Sequence, residues 1–154
     1  MREREPDSDL PENCPRRVAF HEAGHVVVGW ALGLEIGGTR IRPDGTGGAD
    51  IAASDSLPLV DRVAIYMAGI VAAEMSGVEA VHEKEIWGDM GEVVSIGSRE
   101  HPGDESAQLA LMRAGRVRAA SILTVHGAVL SRLSNELERA GELDAEAVAR
   151  LLAL

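Results

Sequence analysis

From residue 15 onward, apolar positions recur mainly at intervals of three and four, the spacing of helices that bury one face. A first helix is predicted from Pro15, with Val18, Val26 and Leu32 on apolar faces and Gly33 as its stop. The period then shortens to two. Thr39-Arg40-Ile41-Arg42 and Ala49-Asp50-Ile51-Ala52 flank Pro43-Asp44-Gly45 and a glycine pair, which reads as a small hairpin. Ser56-Leu57-Pro58 predicts a capped second helix running through DRVAIYMAGIVAAEM to Gly77. It is apolar on several faces and should be central. VEAVHEKEIWG reads as loop, and a third helix from about Gly88 carries Asp89, Glu92, Val93 and Ile96. His101-Pro102-Gly103 interrupts the pattern. A long helix follows from about Asp104 to Arg139, kinked or interrupted near Gly115 or Gly127, and Asp144 caps a short last helix, AEAVARLLAL. The expected fold is mainly α with a small β-hairpin or sheet, an α+β domain.

The 154 residues fit one domain, read as 13–154 behind a charged tail at 1–12. Apolar residues make up 45% but aromatics only 3%, so Ala, Val, Leu, Ile and Met must build the core, which favours packed helices. The net charge of -10 disfavours nucleic acid and anionic lipid as partners, because both need clustered positive charge. The lone Cys14 precludes an internal disulfide and suits a reducing compartment. MREREPDSDLPEN lacks a signal-peptide core, and the longest uncharged apolar stretch, near Val63 to Ala73, is too short to span a membrane. These features predict a soluble cytoplasmic domain with no membrane insertion.

The chemistry concentrates in residues 21–25, HEAGH. On a helix His21 and His25 share a face and can direct both imidazoles at one ion. Glu22 is turned around the axis, which suits a base acting on water better than a ligand. Gly24 leaves room for close packing beside the ligands. Zinc needs a third protein ligand, and the spacing leaves Glu74, His82, Glu83, Glu85, Asp89 and Glu92 open. The three other histidines read as bland or auxiliary: His126 is a packing or surface residue of a long helix, and His82 or His101, in predicted loops, could stabilise an oxyanion. Trp30 reads as core.

VAFHEAGHVVVGWALG resembles the active-site helix of the FtsH-type zinc metallopeptidases, where the motif reads close to YHEAGHA. The hairpin around Ile41, Arg42 and Pro43 resembles that family's next segment, and MAGIVAAEMSG resembles its GGRAAEELxFG helix. The run from Ala119 to Leu154 resembles its closing helices, with His126 and Leu143 on matching positions. The likeness spans about residues 15–154. It implies an HExxH zincin-like helical peptidase domain with about one Zn2+ per chain. The family's third ligand is an aspartate in a TTGAxNDLxxAT setting, and the matching position is Asp89, in the altered context IWGDMGEVV. Glu74 falls on a family glutamate and is the alternative ligand, or a partner for a zinc-bound histidine, since a buried carboxylate needs a hydrogen-bonding group.

The resemblance implies a zinc-dependent metalloendopeptidase that cleaves unfolded or extended polypeptide, with Glu22 as catalytic base and His21, His25 and Asp89 as metal ligands. Gly48 and Ile51 are candidates for a substrate-binding strand edge. No P-loop and no membrane anchor is found, so the expectation is a free-standing peptidase domain, ATP-independent in this chain, with an ATPase or unfoldase acting in trans as a possible partner. No oligomeric state is implied. The alternative is a non-catalytic, metal-retaining interaction module derived from this fold; a third reading is another metal-assisted hydrolysis on the same scaffold.

Overall fold

The computed structural model describes residues 14–78 and 84–154; the predicted tail, with His82 and Glu83, lies outside the described residues. The element order is α1 (Pro15–Ala31), β1 (Ile36–Ile41), β2 (Gly47–Ile51), α2 (Leu59–Met75), α3 (Lys84–Glu100), α4 (Glu105–Val125), α5 (Gly127–Ala140), β3 (Glu142–Leu143) and α6 (Ala145–Leu152). The architecture is mostly helical with a three-stranded antiparallel sheet, as expected in class. No helix among the described residues is long and apolar enough to cross a membrane.

α1 starts with Pro15 in its first turn, where a missing N–H is harmless. It ends in a Schellman motif: Gly33 has φ 85°, its N–H donates to Trp30 O, and the Leu34 N–H donates to Gly29 O. Every residue from Arg17 to Gly29 is buried, because α2, α5 and the hairpin enclose the helix. That enclosure is what puts three polar side chains, His21, Glu22 and His25, in the interior. Arg17 is buried too, and its guanidinium donates to the carbonyls of Ala73 and Val78, satisfying the end of α2.

α2 is the central helix, as predicted, and packs against α1, α3 and α4. Its small residues permit close approach. A Cβ added at Gly24 of α1 would lie 2.4 Å from Ala72 Cβ and 2.6 Å from Ala68 O. On the other side, a Cβ at Gly115 of α4 would lie 2.3 Å from Val63 Cγ1 and 3.2 Å from Ala64 N. Gly115→Ala is therefore expected to destabilise the fold by about 1–3 kcal/mol through overpacking, despite alanine's better helix propensity. A chemical denaturation midpoint no lower than wild type would refute this packing account.

Two local expectations need correction and two are made specific. Ser56 does not cap α2; Pro58 occupies the cap position and no side chain bonds there. α3 begins at Lys84, ahead of Gly88, because the apolar stripe of Ile86, Met90, Val93 and Ile96 extends the helical period backward. The long C-terminal helix is interrupted beside Gly127, one of the two places expected, with His126 between α4 and α5; Gly115 is a packing contact inside α4. The hairpin gains a third strand: β3 pairs with β1 through Thr39↔Leu143 and Arg40↔Glu142. Asp144 does cap α6, accepting a 2.8 Å bond from Ala147 N.

Candidate metal centre

His21 and His25 stand one turn apart on α1, with ring centroids 4.8 Å apart and planes at 76°. Their Nε2 atoms are 3.1 Å from each other. Asp89 closes the triangle from α3, its Oδ2 lying 2.9 Å from His21 Nε2 and 3.0 Å from His25 Nε2. Asp89 reaches them because it shares a stripe with Val93 and Ile96, four and seven residues on, which α3 buries against the core. One carboxylate thus takes a place on an otherwise apolar face.

The environment sets the protonation of these groups. His25 Nδ1 donates to the Ile65 carbonyl at 2.7 Å, so Nε2 is the nitrogen that donates to Asp89 and the one that would turn its lone pair to a metal once that proton is displaced. Burial is the largest influence on His21 and holds its pKa below the ordinary value, against the hydrogen bond to Asp89. Burial also opposes charge on His25. There the hydrogen bond and charge of Asp89, with Glu22 and the Ile65 carbonyl, outweigh it, and the pKa is raised. Burial pushes Asp89 upward, but hydrogen bonds from both histidines prevail and bring it to about 2. Asp89 is therefore a carboxylate at neutral pH.

Does a metal fit? Tetrahedral ligands at zinc's ~2.0–2.1 Å bond lengths stand about 3.3 Å apart. The three donors need to open by only a few tenths of an ångström. Two imidazole nitrogens and one carboxylate oxygen are also the donor types zinc takes in catalytic sites. Among the described residues, His21 Nδ1 is buried and has no hydrogen-bond partner, so its tautomer lacks the anchor that His25 has.

The triad opens on a cleft of about 650 Å³ whose walls include Glu22, Gly47, Gly48, Ile51 and Tyr66. Glu22 is only 6% exposed. A Cβ at Gly47 would lie 2.9 Å from Glu22 Cγ and 3.0 Å from Oε1, so β2 leaves space for this carboxylate by carrying glycine. β2 is an edge strand of the sheet, and the Gly48 and Ile51 positions fall on it and line the same cleft as the triad. Tyr66 of α2, with its pKa raised by burial and then by Glu92, also lines the cleft.

Of the residues expected in the site, His21, Glu22, His25, Asp89, Gly48 and Ile51 share this cleft. Glu74 does not. It is exposed and paired with Arg116 of α4, so it is neither a ligand nor a partner of a histidine. Five residues beyond Gly69, it lies well round the helix from the imidazoles. Glu92 is exposed one turn past Asp89, and His101 lies in the α3–α4 connection outside the cleft walls. His126 packs edge-on against Trp30 at 5.1 Å, a packing role as expected. The sequence matches no protein-family model and no curated protein.

Proposed function

We propose that this chain is a zinc-dependent metalloendopeptidase of the FtsH-like, zincin type, acting on unfolded or extended polypeptide. The observation that carries the reading is the convergence of His21 Nε2, His25 Nε2 and Asp89 Oδ2 within about 3 Å of one another beside the buried carboxylate of Glu22. His21, His25 and Asp89 would hold the ion. When bound, zinc supplies Lewis acidity, lowering the pKa of a water toward ~7 and polarising a carbonyl.

The protein's own groups do the rest. Glu22 takes the proton of the attacking water and delivers it to the leaving amine nitrogen. His25 is kept in the ligating tautomer by Ile65. The outer edge of β2 offers unpaired backbone groups to an extended chain, which orients the scissile bond across the triad. A long polypeptide fits an open cleft of this kind better than a small molecule, which is normally enclosed on most sides.

Protein purified without chelators is expected to hold about one zinc per chain and to cleave a reduced, carboxymethylated protein. Chelation should abolish cleavage and added Zn2+ should restore it. Stoichiometric zinc without cleavage of any unfolded protein would favour the non-catalytic, metal-retaining module instead. No bound zinc, and none taken up on titration, would defeat both readings.

A further inference from the structure

The metal-centre reading accounts for α1 and α3, but α2 also meets the triad. Ile65 of α2 anchors His25, and one turn later the same face presents Gly69. A Cβ at Gly69 would lie 2.5 Å from His25 Nε2, 2.6 Å from His21 Nε2 and 2.7 Å from His21 Cε1. Non-bonded heavy atoms settle at about 3.5–4.0 Å, so a single methyl would displace both metal-facing nitrogens by roughly 1 Å. Neither ring yields readily. His25 is tied through Nδ1 to Ile65 O at 2.7 Å, and His21 is 2% exposed. α2 cannot retreat from α1 either, because on its other side Val63 and Ala64 already sit tightly against Gly115 of α4.

The identity of the colliding atoms separates this glycine from the other close ones. At Gly24 and Gly115 the nearest atoms belong to aliphatic side chains and backbone, the mark of helix packing. At Gly69 the three nearest are all imidazole atoms. A mid-helix glycine is disfavoured relative to alanine, and here the three nearest atoms that oppose alanine all belong to the two proposed ligands. We propose that Gly69 is a positioning residue of the metal centre: its missing side chain lets both Nε2 atoms seat against α2 at the separation that holds a divalent cation. The inference rests on the metal-centre reading and extends it to a helix that contributes no ligand.

The test is Gly69→Ala, titrated with Zn2+ against a chromogenic chelator and with Co2+ followed by its visible absorption. Zn2+ affinity is expected to fall by about 100-fold, comparable to loss of an outer-sphere partner, with weakened or shifted Co2+ bands. A second arm introduces Gly69→Ala into a His21→Ala/His25→Ala chain and compares metal-free melting with the parent. There the methyl has no imidazole to meet, so it is expected to leave stability unchanged or raise it, whereas in the wild-type background it lowers it. Unchanged Zn2+ affinity in Gly69→Ala, beside normal wild-type binding, would overturn the glycine's role alone. Equal destabilisation in both backgrounds would show that α2 needs glycine for packing and would also overturn it. A wild-type chain that binds neither cation overturns the metal-centre reading, and this inference with it.

Discussion

Glu22→Gln is expected to reduce cleavage of an unfolded protein by at least about 10²–10⁴-fold, the contribution of a positioned general base, while zinc content stays at the wild-type level. The amide keeps the shape of the carboxylate but cannot accept the water's proton. Its size fits the space that Gly47 leaves beside Glu22 Cγ and Oε1, so no repacking is required. Glu22 is turned around α1 from the two histidines, and the Nε2–Oδ2 triangle does not include it. Glutamine keeps the volume and an acceptor oxygen at this 6% exposed position, so the fold should hold. Loss of cleavage together with loss of zinc would mean that Glu22 supports the ligands instead of acting as base. Cleavage within about tenfold of wild type would remove it from the proton-transfer role altogether.

How much of this was legible beforehand depends on which residues carried a local signal. His21 and His25 were, because a spacing of four on a helix fixes a shared face regardless of the rest of the fold. α1 was bounded correctly for the same reason: Pro15 and Gly33 act through their own backbone chemistry. Asp89 had a weaker signal, a carboxylate on the stripe that Val93 and Ile96 continue, and it was singled out mainly through resemblance. The start of α3 was missed because polar residues dominate its first turns and mask the stripe of Ile86 and Met90. Strand β3 is two residues long and exists only because α5 returns the chain to β1, a tertiary fact with no local pattern. At Glu74 the alanine-rich sequence suggests burial on every side, yet α2 leaves that side open to Arg116.

The parts of the site contributed by α2 divide similarly. The Ile65 carbonyl that orients His25 could not be read, since every residue carries a carbonyl and only the fold selects this one. Gly69 did leave a trace: a glycine inside an apolar helix is held against its propensity and calls for a packing or functional reason. The sequence could not say which reason, because the imidazoles that meet it lie more than forty positions earlier in the chain.

Asp89→Ala should weaken Zn2+ binding by at least about 100-fold, the upper range for losing an outer-sphere partner and a lower bound for losing a ligand. The argument is one of donor count. Among the described residues, His21, His25 and Asp89 are the cluster able to hold an ion, and without Asp89 two nitrogens remain where zinc requires three protein donors. The thermal signature should change as well. A site that binds only in the folded chain adds about 2.7 kcal/mol at a zinc concentration one hundred times Kd, so wild-type melting should rise with added zinc and the variant's should not. Glu74→Ala is the matched control. Its pairing with Arg116 is half exposed and worth at most about 1 kcal/mol, and removing it should leave zinc binding untouched. If the two variants bound zinc equally well, the carboxylate that completes the site would have to be sought elsewhere, and the triangle around His21 and His25 would be a hydrogen-bonded cluster that α3 uses to dock on α1. If Asp89→Ala alone loses the metal, the α3 register that places this carboxylate on the buried stripe becomes a condition of the chemistry, and insertions of one residue between Lys84 and Asp89 would be tolerated less well than insertions after Glu100, where the connection to α4 is exposed.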